Sequence, residues 1–277
     1  MTFKTREGHE IAADRSGDPD APVVLLLHGG GQTRHSWRRA RERLGARGYR
    51  AIAIDARGHG DSFWAPDGDY GVEAMARDLR DIADQVGGKP AFVGASMGGV
   101  AALALLGGVA APPASSLVLV DVTPRVNMQG AERISAFMRA APEGFTSLDE
   151  VADAVAVYNP HRQRPVDSSG LMKNLRVRDG RYFWHWDPAF LTSKHRLEPE
   201  RYQANLERAA RCVKAPTLLV RGAQSDLVGP AEYEAFLEVM PKAAFVDVAG
   251  AGHMVAGDDN DAFAAAVIAF LETHPPS

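Results

Sequence analysis

Apolar residues in this chain gather in short continuous runs, separated by longer stretches with helical spacing. Residues 23–27 read VVLLL, 91–93 read AFV, 116–120 read SLVLV and 216–221 read PTLLVR. Runs of this length without alternation predict strands covered on both faces. Residues 49–54 and 245–248 add two more strands. Helical spacing over 37–47, 72–86, 100–106, 231–240 and 262–273 fills the intervals. Strand and helix in turn predict an α/β fold with a doubly wound, mostly parallel sheet. Ahead of it, 3–5 and 10–14 form a hairpin around Gly8, and 16–22 is a turn cluster rich in Gly, Pro and Asp.

The alternation breaks between 124 and 214. Helical patterns occupy 131–141, 148–158 and 199–212, and 177–182 reads as a small hairpin turning at Asp179-Gly180. Some ninety residues without a sheet strand are too many for a loop. The expected organisation is a core of 1–123 with 215–277, and a mainly helical cap, 124–214, inserted after the sixth of eight strands. The cap carries Tyr158, Tyr182, Phe183, Trp184, Trp186 and Phe190. Strand alternation puts Tyr182, Trp184 and Trp186 on one face. They form the cap's own small core or, on a second reading, roof an apolar acyl or alcohol pocket. On that second reading Tyr158, Trp184 and Trp186 are substrate contacts.

Composition narrows the function. At 277 residues and 45% hydrophobic, the chain can bury a large core as one domain with an insertion. A net charge of −4 argues against nucleic acid as a partner. The arginines are scattered and suggest base composition rather than phosphate binding. Cys212 is the single cysteine, so no intrachain disulfide can form and a cytoplasmic home is expected. MTFKTREGHE at the start has no apolar signal region, and no apolar run is long enough to span a membrane. The oligomeric state stays open, a homo-oligomer included.

The chemistry centres on Gly94-Ala95-Ser96-Met97-Gly98, at a strand-to-helix junction. A G-x-S-x-G sequence in that setting is a nucleophile elbow. The serine at the apex is forced toward a strained backbone, and larger side chains two residues away would collide. The helix N-terminus points backbone N–H groups at the hydroxyl, so Met97 N–H becomes an oxyanion donor. Ser96 needs a base, and the base an orienting acid. His253, after the last strand, lies at the carboxyl edge to which the elbow points. Asp226 follows the preceding strand, in the chain order Ser, Asp, His. Asp121 also ends a strand and is the second candidate, suited to holding the cap's entry or facing substrate.

With these motifs the chain resembles the α/β-hydrolase superfamily, specifically single-domain bacterial serine hydrolases with a helical cap. The resemblance rests on His28-Gly29-Gly30-Gly31, residues 55–62, the elbow, the Asp226 loop and the His253 loop. It implies that Gly30 supplies the second oxyanion N–H beside Met97, with Gly31 as substitute. It also implies that His28 braces that loop, and that Asp55, Arg57 and His59 hold theirs. Some relatives carry the acid after the strand that ends at Asp121. Haloalkane dehalogenases and epoxide hydrolases of this kind use an elbow aspartate, so Ser96 argues against both. The expected activity is hydrolysis of a small to medium carboxylic ester or lactone, with water as second substrate. Alternatives are a carbon–carbon hydrolase of vinylogous diketones, a cofactor-free haloperoxidase or perhydrolase, and a non-catalytic ligand-binding protein on the same fold. No phosphate loop or metal-ligand spacing stands out, so no cofactor and no metal are expected.

Overall fold

Each apolar run becomes a strand of one sheet. The structure is a computed structural model that describes residues 1–125, 127–158, 164, 167–192, 198–225, 227–249 and 261–277. The strands are β1 (Thr2–Lys4), β2 (Glu10–Ser16), β3 (Val23–Leu27), β4 (Arg50–Ile54), β5 (Ala91–Ala95) and β6 (Ser116–Val120). Later in the chain come β9 (Thr217–Gly222) and β10 (Ala244–Val248), after a separate hairpin of β7 (Leu175–Arg178) and β8 (Arg181–Trp184). Eight strands are ordered β1-β2-β4-β3-β5-β6-β9-β10. The last five pairings of that order are parallel, while β1–β2 and β2–β4 are antiparallel. The four central strands β3, β4, β5 and β6 are buried on both faces except at Arg50. Their fully covered side chains, such as Leu25, Leu26 and Phe92, each stabilise the fold by about 1.5–3 kcal/mol.

Helices close both faces. A 3₁₀ turn (Arg34–Trp37) leads into α1 (Arg38–Ala46), and α9 (Asp261–Thr273) packs on the same side. The other face takes α2 (Val72–Val86) and α3 (Met97–Leu106), with α8 (Pro230–Val239). Helix α2 buries Met75, Leu79 and Ile82, the single stripe its spacing predicts, and stops at Gly87 with φ 72°. Helix α3 has no polar stripe, because it lies between the sheet, α2 and the later helix α7 (Pro199–Cys212). No helix among the described residues is long and apolar enough to cross a membrane.

Between β6 and β9 the chain forms α4 (Met128–Arg139), α5 (Leu148–Tyr158), a 3₁₀ stretch (Ser168–Asn174), the β7–β8 hairpin, α6 (Ala189–Thr192) and α7 (Pro199–Cys212). Helix α4 begins earlier than its apolar spacing predicts. The Asn127 side chain accepts from the N–H groups of Gln129 and Gly130, both at 3.1 Å, and caps it. The hairpin turns at Asp179 and Gly180, with φ 50° and 73°, as an Asp-Gly turn requires. This segment is fastened to the 55–62 loop. Asp187 N–H donates to the Gly58 carbonyl at 2.9 Å, Gly60 N–H donates to His185 Nδ1 at 2.8 Å, and Arg176 reaches the Gly60 carbonyl at 2.6 Å.

Candidate active site

Ser96 sits one residue beyond β5 and one residue before α3, with φ 45° and ψ −116°. Its N–H donates to the Val120 carbonyl at 3.1 Å, which ties the apex to the neighbouring strand. The small residues around it are dictated by contact. A Cβ on Gly94 would stand 2.5 Å from Gly99 N, and one on Gly98 would stand 2.6 Å from the Leu27 carbonyl oxygen. Strain of this kind at a nucleophile is held in place by the packing of strand and helix around it.

The loop after β3 runs directly past the serine. A Cβ on Gly29 would lie 3.3 Å from Ser96 Cβ. Gly29 N–H donates to Gln32 Oε1 at 3.2 Å, and Gly98 N–H donates to the His28 carbonyl at 3.1 Å. Among the described residues nothing accepts from the N–H of Gly30 or of Met97. Gly31 differs: its N–H donates to His59 Nε2 at 3.2 Å, so it is not free to serve as the substitute oxyanion donor.

A cavity of about 380 Å³ opens at Ser96. Ser96, Met97 and Asp121 share its wall with Tyr70, Val100, Val122, Ile134, Phe190, Leu227 and Val228. Tyr158, Trp184, Trp186 and Gly31 are not in that wall. Tyr158 stacks on Phe137 at 4.2 Å, and Trp184 stacks on Trp186 at 5.0 Å beside a different cavity that Trp64 also lines. Trp184 and Trp186 do lie together, as alternation expects, but both line that other cavity and not the one at Ser96. Phe190 and Tyr70, which do line the cavity, come from α6 and from the loop before α2, where no periodicity marks them.

Asp121 is wholly buried and has φ 50°, a backbone state rare outside glycine. It directly follows β6, beside Ser96. Its Oδ1 accepts from Gly222 N–H at 3.2 Å and its Oδ2 from the Ser225 hydroxyl at 2.6 Å. Ser225 Oγ in turn accepts from the N–H groups of Leu227 and Val228, both at 3.1 Å. The carboxylate thus anchors the loop that follows β9. Asp226 and His253 lie outside the described residues.

Three buried histidines support the glycine loop from the other side. Ala56 N–H donates to His28 Nε2 at 2.9 Å, which leaves Nδ1 to donate to the Gly29 carbonyl at 2.8 Å. His59 accepts from Gly31 N–H and pairs through Nδ1 with the Arg57 carbonyl at 3.1 Å. His185 accepts from Gly60 N–H and pairs through Nε2 with the Gly31 carbonyl at 3.3 Å. Each ring therefore has one acceptor and one donor nitrogen, the neutral form. Burial pushes His28 down to about 4 and His59 to about 3, and holds His185 well below its usual range. The bracing expected of Asp55 and Arg57 is also present. Asp55 accepts from the N–H groups of Arg34 (2.6 Å) and Asp61 (2.9 Å), and Arg57 makes a two-pronged pair with Asp78 at 2.6 and 2.7 Å. His185 had no motif to mark it, since its partner Gly60 lies 125 residues away in sequence. Among the described residues no cluster of three or more metal-ligating side chains occurs.

Comparison with known proteins fits this geometry. The profile of the alpha/beta hydrolase family matches residues 24–266. The esterase Rv0045c of Mycobacterium tuberculosis is 34% identical over 229 residues, covering 79% of this chain and 71% of that protein. A crystal structure of that esterase superposes with a TM-score of 0.76 over 95% of this chain and 89% of its own. The mouse sn-1-specific diacylglycerol lipase ABHD11 is 31% identical over 273 residues, covering 92% of this chain and 82% of that protein. The crystal structure of an E-2-(acetamidomethylene)succinate hydrolase shares the fold at TM-score 0.85 over 98% of this chain and 99% of its own, with 22% identity. The chain belongs to the alpha/beta hydrolase family, and it is a hydrolase.

Proposed function

We propose that the protein is a cofactor-independent serine hydrolase cleaving a small to medium carboxylic ester or lactone through an acyl-enzyme on Ser96. The observation that carries this reading is the strained Ser96 apex in an apolar cavity that Met97 also lines, the Met97 N–H having no acceptor among the described residues. Ser96 Oγ attacks the carbonyl carbon while His253 takes its proton. The tetrahedral oxyanion receives hydrogen bonds from Gly30 and Met97 N–H, backbone donors that need little reorganisation as charge develops. Collapse expels the alcohol, which takes the proton from His253, and water then hydrolyses the acyl-enzyme by the same steps. The apolar wall suits a hydrocarbon acyl or alcohol portion. Relatives named an esterase and a diacylglycerol lipase support the ester class.

The orienting acid has two candidates. Asp226 has the expected chain position. Asp121 is favoured by a specific observation: like Ser96 it is a non-glycine residue at positive φ, and the two stand side by side at the sheet edge in one cavity wall. Strain concentrates where function requires it. We therefore assign the acid to Asp121, with Asp226 as the alternative. The hydrolase reading is tested with p-nitrophenyl esters of graded acyl length beside a vinylogous diketone. Ester turnover should fall by roughly 10³-fold or more in Ser96→Ala. Unchanged turnover in that variant, or a preference for the diketone, overturns the ester assignment.

A further inference from the structure

A second cavity, of about 270 Å³, lies behind the glycine loop and shares none of the described wall residues of the Ser96 cavity. Its wall includes Thr33, Arg34, Asp61, Lys173, Arg176 and His185. We propose that this cavity binds a small oxyanion, of the phosphate or carboxylate kind.

Two observations carry the proposal. The first is an unsatisfied donor. Thr33 is 1% exposed, and its buried hydroxyl has no hydrogen-bond partner among the described residues. A buried polar group left unpaired is costly, and natural structures rarely tolerate one without a reason. The second is uncompensated charge. The Arg34 guanidinium is neutralised by Asp14, Asp55 and Asp61. Arg176 is half-buried, yet among the described residues it donates to carbonyls, those of His185 and Gly60, and lies over the Trp64 ring at 4.7 Å. Among the described residues neither Arg176 nor Lys173 is held in an ion pair. Burying a guanidinium without an anion is unfavourable, and an oxyanion in this cavity supplies one. His35, on the same wall, is held below its usual range by burial and then by Arg34, so it adds no charge at neutral pH. Asp61 is the opposing feature. It sits at the rim, 72% exposed, and works against the anion while paired to Arg34.

The site is independent of the ester chemistry, so its test is binding to the purified full chain. Phosphate and acetate are each titrated calorimetrically at low ionic strength, against sodium chloride at matched ionic strength. One saturable site per chain for at least one of them is expected, with thermal stabilisation that chloride does not reproduce. Thr33→Val keeps the shape and removes the hydroxyl. It should leave the unliganded Tm unchanged or raised while weakening anion binding about fivefold or more. Lys173→Glu should weaken it about tenfold or more, and Asp61→Asn should tighten it. A response no greater than that to chloride for both anions overturns the proposal. So does binding that survives Thr33→Val and Lys173→Glu unchanged.

Discussion

The two sides of the 28–31 loop use one stretch of backbone in opposite ways. Toward Ser96 the wall is mostly apolar, and the Gly30 N–H has no acceptor among the described residues. On the far side, Gly31 has both its N–H and its carbonyl engaged by the rings of His59 and His185, and those rings are tied in turn to Arg57 and Gly60. The difference teaches how a donor can stay open without the loop drifting. Polar groups that must meet charge only in the transition state are left uncommitted, while rigidity comes from neighbours that are fully satisfied. Preorganisation of this kind lets a backbone N–H stabilise an oxyanion without reorganising at the moment of reaction.

The sharpest way to break that contrast is at Asp121, which belongs to the reactive side by wall and to the bracing network by hydrogen bonds. Asp121→Asn should lower kcat for a p-nitrophenyl ester by about 10⁴-fold, the scale seen when a triad acid loses its charge. Asp226→Asn should cost about tenfold or less. Melting curves separate chemistry from the loosened Gly222–Ser225 loop, because a purely bracing Asp121 would lower Tm and leave kcat near its original value. If the two variants exchange kinetic phenotypes, the acid is Asp226.

Next in size is the elbow itself. A Cβ at Gly98 would meet two backbone oxygens, those of Leu27 at 2.6 Å and His28 at 2.7 Å, and neither can move as a side chain tip could. Gly98→Ala should therefore push α3 and the glycine loop apart. Misplacement by a fraction of an ångström up to 1 Å should cost about 10²-fold in kcat/KM. Wild-type rates in Gly98→Ala would show that the two elements do not need this approach.

The bracing side is probed by acid. His28 and His59 have folded values near 4 and 3, below their ordinary 6.5. The unfolded chain thus takes up protons as pH falls through 6.5 while the native chain does not. Stability is fully present above about 6.5 and is lost as pH drops toward 4, by roughly 1.4 kcal/mol per unit for each such imidazole. Urea melts from pH 7.5 to 5 should show this loss. His59→Gln keeps an acceptor for Gly31 N–H but cannot titrate, so it should flatten the acid limb. His59→Phe removes that acceptor and should destabilise by about 1–3 kcal/mol even at pH 7.5. An acid limb as steep in His59→Gln as in the wild type would remove His59 from this account.

How much of this could be read from residues alone depends on the range of the interaction. The sheet was readable because its signal is local: VVLLL and SLVLV are too apolar and too short for anything but covered strands. The elbow was readable because steric need fixes small residues at set spacings. His185 was not, because its job depends on a partner from another part of the fold, and pairing over that distance leaves no periodic trace. The strained φ of Asp121 was equally hidden, since nothing around VDVTP separates an acid from a turn residue. The aromatics between β6 and β9 mark the limit of alternation: it left open mutual packing and a pocket roof, and the structure shows Trp184 stacked on Trp186. Alternation says which side chains share a face, not what that face meets.

Those aromatics give the smallest and most discriminating prediction. Trp184 stands 5.0 Å from Trp186 in a stacked pair and 5.3 Å from Phe145 edge-on, within the segment between β6 and β9. Its wall is shared with Trp64, Phe183 and Pro188, not with Ser96. Phe190 is the contrasting aromatic. It lines the Ser96 cavity and meets the His59 ring edge-on at 4.8 Å. Shortening each to leucine removes comparable aromatic contact, worth about 0.5–1.5 kcal/mol beyond burial for each aromatic pair. Both variants should lose Tm. Only Phe190→Leu should change the acyl-length preference, because only it reshapes the volume that substrate occupies. Trp184→Leu should keep the preference profile, with kcat/KM within about twofold across the series, since a shape change outside the reacting cavity alters no differential contact with the transition state. If Trp184→Leu shifts the profile and Phe190→Leu does not, the ester is bound on the tryptophan side of the segment. The apolar cavity at Ser96 would then hold only the reacting carbonyl.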